Sequence, residues 1–282
     1  MKTIQLTCAH ALVKYLIAQK ILINGKKEPL FPGVFAIFGH GNVACLGQAL
    51  EENKKELPTW RGHHETNMAL TGIAYSRAKR RKQIFIATAS VGPGSTNLIT
   101  AAAVAMSNRI PILFLPGDTY ANRMPDPVLQ QVEHFNNPGI TQNDAFKPVT
   151  RYFDRITRPE QILQTLPQAI QVMLDPADCG PACISLSQDI QGEVFEYPEE
   201  FFKERVHNIR RPRPDDFQIK QAIEKIKKSK KPIIYSGGGV INSGPEASED
   251  LRELVQLTGF PITSTLQGLG AYPGENNQFL GM

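Results

Sequence analysis

Several features that would point directly to a function are missing from this chain. No apolar run is long enough to span a bilayer. The opening stretch, Lys2-Thr-Ile-Gln-Leu-Thr-Cys8, has no continuous apolar core, so a secretory signal is not expected. Cysteine is scarce, with four residues at positions 8, 45, 179 and 183. Cys179 and Cys183 flank Gly-Pro-Ala, which is neither a redox pair nor a zinc-ligand spacing, and no second pair completes a metal site. These features predict reduced thiols, a cytoplasmic location and no metal ligands in this chain. A P-loop is excluded because Gly-Lys-Ser/Thr does not occur. His63-His-Glu-Thr-Asn-Met68 is not a zinc-protease helix, since Met68 stands where a second histidine ligand is required. The net charge of +4 comes with no basic stripe or reading motif, which argues against nucleic acid. Its densest basic run, Lys225 to Lys231, closes a predicted helix, where lysines complement the helix dipole.

Ordinary globular material makes up the rest. With 41% hydrophobic and 21% charged residues over 282 positions, the chain can bury a sizeable core and has the length of two domains. Thr7 is a plausible helix cap ahead of Leu12, Val13, Leu16 and Ile17, which are spaced for one buried face. Apolar, β-branched or aromatic runs recur at 34–38, 84–87, 112–115 and 182–186. Helix-like segments lie near 43–56, 65–78, 96–107 and 159–174. Fully apolar strands alternating with helices predict a parallel sheet covered on both faces, a doubly wound α/β domain over residues 1–191. Residues 192–214, charged and proline-bearing, read as a linker. The α/β rhythm then resumes over 215–282 with only two strand–helix units. Two strands bury little surface, so this second domain is expected to be incomplete and to leave apolar surface uncovered.

Three segments are candidates for chemistry. Glu65 opens a predicted helix, a place where a carboxylate also simply complements the dipole. Phe38-Gly-His-Gly-Asn42 ends the first strand, and Ser90-Val-Gly-Pro-Gly-Ser-Thr-Asn97 follows a later one. Glycines free the backbone for close approach to a ligand. In an open α/β sheet, ligands bind at the carboxyl ends of strands. All three segments are therefore expected on one edge.

At these residues the chain resembles the acetohydroxyacid synthase group of thiamine diphosphate enzymes. Phe38-Gly-His-Gly41 is similar to the first glycine loop of that group, His64-Glu65 to its catalytic glutamate helix, and Ala87 to Leu98 to its second glycine loop. Asp144 to Val149 and Gly180 to Asp189 continue the likeness. Pro232 to Gly239 and Thr265 to Gly270 resemble the group's middle domain, so that essentially the whole chain is covered. Residues 1–191 would then be the pyrimidine-binding domain, and 215–282 the start of a Rossmann-like middle domain. The resemblance implies that Glu65 hydrogen-bonds the aminopyrimidine ring nitrogen, with Gly39, Gly41, Thr88, Pro93 and Asn97 lining the pocket. His40 is a candidate for proton transfer on substrate intermediates, and Asp118 and Arg123 for substrate contact. Leu115 to Glu133 and Phe146 to Glu160 resemble, within the group, hydrolases that open a cyclic 1,2-dione by adding water across a carbon–carbon bond. Such hydrolases tend to carry asparagine and glutamine around the glutamate, where this chain has His64 and Thr66.

The group holds magnesium and the diphosphate with a Gly-Asp-Gly motif in a third domain, and this chain has none; Gly117-Asp118 is followed by Thr119. The resemblance further implies a homo-oligomer, at least a dimer, with active sites between subunits. The chain alone would therefore carry half a site, bind the cofactor weakly and be inactive. Gly237-Gly-Gly239 resembles a turn where some relatives hold a flavin, but no dinucleotide fingerprint surrounds it and it reads as structural. Two other functions stay open, an acetohydroxyacid synthase-like carboligase and a truncated, non-catalytic subunit.

Overall fold

The computed structural model describes residues 2–125 and 127–282, which divide into two compact units, Met1–Arg210 and Arg211–Met282. In the first unit the strands are β1 (Thr3–Thr7), β2 (Gln19–Ile23), β3 (Lys26–Pro29), β4 (Val34–Ile37), β5 (Thr59–Arg61) and β6 (Ile86–Ala89). They continue as β7 (Leu113–Phe114), β8 (Gly117–Asp118), β9 (Tyr152–Ile156), β10 (Ala182–Ser187), β11 (Val194–Pro198) and β12 (Arg205–His207).

Seven of these make one parallel sheet. β4 pairs with β5 on one side and β6 on the other, and β6 pairs with β7. β7 and β8 both pair with β10, at Ala182–Cys183 and Leu186–Ser187. They form one line of chain broken at Leu115-Pro116, because Pro116 has no N–H to give a ladder. β9 takes the opposite side of β10. The helices between parallel neighbours are crossovers and cover both faces, which makes this the doubly wound sheet expected. Its core falls into two clusters. Helices Cys8–Ile17 and Ile162–Met173 bury Leu12, Leu16, Leu166 and Ile170 in one; helices Glu65–Ala78 and Ile99–Asn108 bury Ala69, Ile73, Ala102 and Ala105 in the other. Thr7 does cap its helix, accepting a hydrogen bond from the His10 amide.

The reversal of strand order lies between β4 and β6. The chain leaves β4 outward to β5 and returns on the other side as β6, which places the ligand crevice of such folds between the ends of those two strands.

The first unit runs further than sequence composition suggests. Residues 192–214 were expected as linker, yet β11 pairs with β1 (Thr3 opposite Pro198) and β12 with β2 (Arg205 opposite Gln19). Charged edge strands of this kind are held by partners nearly 200 residues away, not by an apolar pattern of their own. The expected helix over 43–56 also differs: it starts at Gly39 and passes through a π-helical turn at Val43–Gly47 before Gln48–Glu52.

In the second unit, two parallel strands, Ile234–Ser236 and Ile262–Ser264, lie with helix Pro245–Thr258 around a core of Leu251, Val255, Ile262, Ala271 and Tyr272. The Gly237-Gly-Gly239 turn is explained by backbone contact: a Cβ on Gly238 would lie 3.0 Å from the Gln267 carbonyl oxygen. Helix Asp216–Lys228 buries none of its residues, and its Phe217, Ile219, Ile223 and Ile226 are exposed. Its ends are well made. Asp215 accepts from the Gln218 amide, the Gln218 side chain accepts from the Asp215 amide, and Lys225, Lys227 and Lys228 occupy the last turn.

Candidate functional site

Because the strands of the large sheet are parallel, every turn that follows one lies on the same edge. β4 feeds the first glycine turn, β5 feeds Gly62 to Glu65, β6 feeds the second glycine turn, β8 ends at Asp118, and β10 leads into Gln188 and Asp189. The convergence expected from sequence is therefore present.

Glycine is required where the two turns meet. Gly39 has φ 54°, and a Cβ there would stand 2.3 Å from the Ser90 hydroxyl oxygen. Gly92 has φ 70°, and a Cβ there would fall 1.7 Å from the Gln130 carbonyl oxygen. Gly41 is buried against Val91, with a would-be Cβ 3.2 Å from the Val91 amide nitrogen. Side chains at these points would force the crevice apart.

Glu65 is the first residue of a 14-residue helix and is half-buried. Its Oε2 accepts a hydrogen bond from Asn97 Nδ2 at 3.0 Å, and the neighbouring Thr66 hydroxyl donates to the Asn97 carbonyl. Gly94 faces the other carboxylate oxygen: a Cβ there would lie 3.7 Å from Glu65 Oε1 and 3.2 Å from Ser90 Cβ. Glu65, Asn97, Gly94 and Ser90 thus surround one small space, and Pro93 opens the short helix beside it, exposed. The Ser90 hydroxyl is buried without a hydrogen-bond partner, as is His40 Nε2 in the first glycine turn. Ser90 and Gly94 were not singled out from sequence. Only their position inside the glycine turn hinted at them.

Two expected site residues are placed differently. Thr88 has no exposed surface; its hydroxyl donates to the Leu115 carbonyl at 2.7 Å and accepts from Asn42 Nδ2 at 2.9 Å. It braces the crevice from behind and presents nothing to a ligand. Asn42 is the centre of that brace, also donating to the Ala89 carbonyl at 2.8 Å and accepting from Gln191 Nε2 at 2.9 Å. Asp118 is the larger correction. It was expected to touch substrate, but it is fully buried. Its Oδ2 accepts from Arg155 Nε at 2.8 Å and from the Ser185 hydroxyl, and its Oδ1 from the Thr119 amide at 2.8 Å. Asn143 Nδ2 continues the network to Ser185 Oγ and the Gly117 carbonyl, while Arg155 also reaches Asp144 at 3.1 Å. Burial lowers the affinity of the Arg155 guanidinium for its proton, but the Asp118 and Asp144 carboxylates outweigh it and hold the charge firmly. A carboxylate with this many partners and no surface is a structural anion.

Arg123 keeps an accessible place. It sits at φ 57°, exposed, on the wall of a cavity of ≈ 130 Å³ shared with Thr119, Tyr120, Gln131, Glu133 and His134. Asp189 anchors this segment by accepting from the amides of Ala121 (2.9 Å) and Asn122 (3.1 Å). A chain of 3.3 Å hydrogen bonds runs from the Tyr120 amide to Gln131, from Gln131 to Gln188, and from Gln188 to the His40 carbonyl. The cavity wall and the first glycine turn are therefore mechanically joined.

The donor set suits one end of thiamine diphosphate. An aminopyrimidine needs a carboxylate at a ring nitrogen and a side-chain-free floor, and Glu65 with Gly94 and the orphaned Ser90 hydroxyl offers both. Among the described residues no group of three or more His, Cys, Asp or Glu side chains is placed to hold a metal ion. None of the described helices is long and apolar enough to cross a membrane.

Comparison with known proteins bears on both units. Residues 31–137 match the family described as "Thiamine pyrophosphate enzyme, N-terminal TPP binding domain", and residues 219–282 match "Thiamine pyrophosphate enzyme, central domain". Curated relatives include the 3D-(3,5/4)-trihydroxycyclohexane-1,2-dione hydrolases of Shouchella clausii, Halalkalibacterium halodurans and Clostridium tetani. The first is 50% identical over 95% of this chain and 42% of its own length. The second is 49% identical over 100% and 44%, and the third 48% identical over 96% and 42%. The chain thus spans less than half the length of the relatives it matches.

Proposed function

From a chain built of the N-terminal and central domains of the thiamine pyrophosphate enzymes, we propose the N-terminal portion of a thiamine diphosphate-dependent hydrolase that opens a trihydroxycyclohexane-1,2-dione ring. The observation that carries the reading is the half-buried Glu65 carboxylate at the strand-order reversal, hydrogen-bonded by Asn97 and floored by Gly94. The likeness to dione hydrolases over essentially the whole chain supports the substrate class.

When bound, thiamine diphosphate supplies the electron sink that carbon–carbon cleavage needs. This chain's residues supply orientation and proton control. Glu65 holds a proton at the pyrimidine ring nitrogen, and Asn97 fixes the carboxylate rotamer through Oε2, leaving Oε1 for that contact. Gly39, Gly41 and Gly92 let the two glycine turns close on their neighbours, and Pro93 opens the short helix beside them, so that together they shape the ring's approach. His40 is the candidate for moving a proton on the substrate. Arg123, with Glu133 and His134 beside it, is the candidate for recognising ring hydroxyls and carbonyls from the 130 Å³ cavity. The diphosphate and its Mg²⁺ call on ligands that the described residues do not bring together, and we assign these to the remainder of the enzyme and to a subunit partner.

The test is ring opening of the cyclic dione by the full-length enzyme with thiamine diphosphate and Mg²⁺, with and without Glu65→Gln. Loss of general acid–base catalysis costs about 10²–10⁴-fold in rate, and a loss of this size is expected in kcat. This chain alone should show weak or no cofactor binding by calorimetry and no turnover. Condensation of pyruvate without dione hydrolysis would instead favour the carboligase reading.

A further inference from the structure

The amino edge of the large sheet, opposite the glycine turns, carries a second cavity. Helix Ile162–Met173 is the crossover between the parallel neighbours β9 and β10, so it returns against the strand direction and ends at that edge. Beyond its last turn a cavity of ≈ 350 Å³ opens, lined by the largely apolar Tyr15, Ile170 and Leu174 together with Arg205, His207 and Arg210.

Neither Arg205 nor Arg210 forms an ion pair among the described residues. The one acid lining the cavity, Asp175, accepts through Oδ1 from the amides of Ala177 (2.8 Å) and Asp178 (2.7 Å). Asp178 itself pairs with Arg151 at 2.9 Å. His207 Nε2 lies 3.0 Å from Gln19 Oε1. Gln19 Nε2 already donates to the Tyr15 carbonyl, so Oε1 accepts and His207 carries its proton on Nε2. Burial, and then the Arg205 charge, depress the imidazole's pKa below its ordinary value.

An anion here meets two opposing influences, the Asp175 carboxylate, whose Oδ1 is occupied by its own loop amides, and the carbonyl end of helix Ile162–Met173. That end disfavours negative charge, and the amides of Leu174 and Asp175 already cap the Ile170 and Val172 carbonyls. Charge-assisted bonds from two full guanidinium charges are stronger than the pull of a capped helix end, so two arginines outweigh the dipole. Two guanidinium groups without an ion-pair partner among the described residues line one cavity, and they suit a doubly charged oxyanion better than a singly charged carboxylate. The apolar lining and the volume leave room for an organic body that a bare ion would not fill.

We propose that this cavity is a binding site for a small phosphate monoester with an apolar or aromatic body, separate from the Glu65 crevice. The probe is phenyl phosphate, titrated into the chain by calorimetry while the His207 ring resonances are followed by NMR. Saturable binding is expected, with the His207 pKa moving upward as the bound anion opposes Arg205. Paired Arg205→Gln and Arg210→Gln substitutions should weaken affinity about tenfold or more, one decade being ~1.4 kcal/mol; Arg205→Lys, which keeps the charge and loses the fork, should fall between. Circular dichroism checks that each variant stays folded. Absence of saturable binding overturns the proposal, as does unchanged affinity in the folded double variant. Equal affinity for benzoate overturns the phosphate assignment, and equal affinity for inorganic phosphate overturns the organic body.

Discussion

Glu65 and Asp118 are two carboxylates on the same edge of the same sheet, and the structure uses them in opposite ways. Asp118 is fully buried and accepts from Arg155, Ser185 and the Thr119 amide. Glu65 is half-buried, takes one side-chain hydrogen bond from Asn97, and keeps an oxygen facing Gly94. A buried charge must be fully paired or it is too costly to keep. A carboxylate that is to exchange a proton with a ligand must be left with unused capacity. Number of partners, more than position on the edge, separates the two carboxylates here.

Substitutions should widen or collapse that contrast. The largest effect is expected from Asp118→Ala, which leaves Arg155 beside an empty anion site. Removing one member of a buried pair costs about 3–5 kcal/mol, and with Arg155 partly solvated, urea denaturation should read the lower end. A loss under 1 kcal/mol would mean that Asp118 is not a structural anion. Next comes Asn42→Ala, which strips donors from Thr88 and Ala89 and an acceptor from Gln191. Unpaired buried polar groups cost about 1–3 kcal/mol, so about 2 kcal/mol of destabilisation is expected in the same assay.

A smaller effect concerns pH. Burial pushes the Asp144 carboxyl up, but hydrogen bonds from Lys147, the Thr141 amide and Arg155 outweigh it and hold the carboxyl below its ordinary value. A depressed folded pKa gives stability that is fully present above the unfolded value of ~4 and lost as pH falls through the folded value. Asp144→Asn should therefore flatten the acid limb of the stability curve and leave its slope near neutrality unchanged. The smallest stability effect is expected at Glu65. Glu65→Gln should change unfolding free energy by less than about 0.5 kcal/mol, as surface changes do, while lowering kcat of the full-length enzyme about 10²–10⁴-fold. Should Glu65→Gln destabilise as much as Asp118→Ala, the division between the two carboxylates fails.

Parts of this arrangement were legible in the sequence. The strands near residues 34, 84, 112 and 182 announce themselves through unbroken apolar runs, and the glycine turns through their spacing. β3, written Lys-Lys-Glu-Pro, and β12, written Arg-Val-His, carry no such pattern, because their order comes from pairing with β2. The fate of Asp118 was hidden for a related reason. Its partners Arg155 and Ser185 come from β9 and β10, and only register across the sheet brings them within reach. Asp154-Arg155 inside an otherwise apolar-aromatic strand was the available signal, since a charged pair there has to be answered by something buried. Thr88 misled in the same way: its place beside the glycine turn is visible in the sequence, its inward hydrogen bonds to Leu115 and Asn42 are not.

Helix Asp216–Lys228 is held by its capping box and its terminal lysines, with none of its residues buried. Isolated helices shorter than about 12–15 residues are marginal in water, so its hydrogen bonds open and close on local terms. Helix Ile162–Met173, with six buried side chains, opens only when the core around it opens. Amide protons would therefore keep two clocks in one chain: deuterium should enter the Asp216–Lys228 backbone first, and reach the Ile162–Met173 backbone only at the pace of global unfolding.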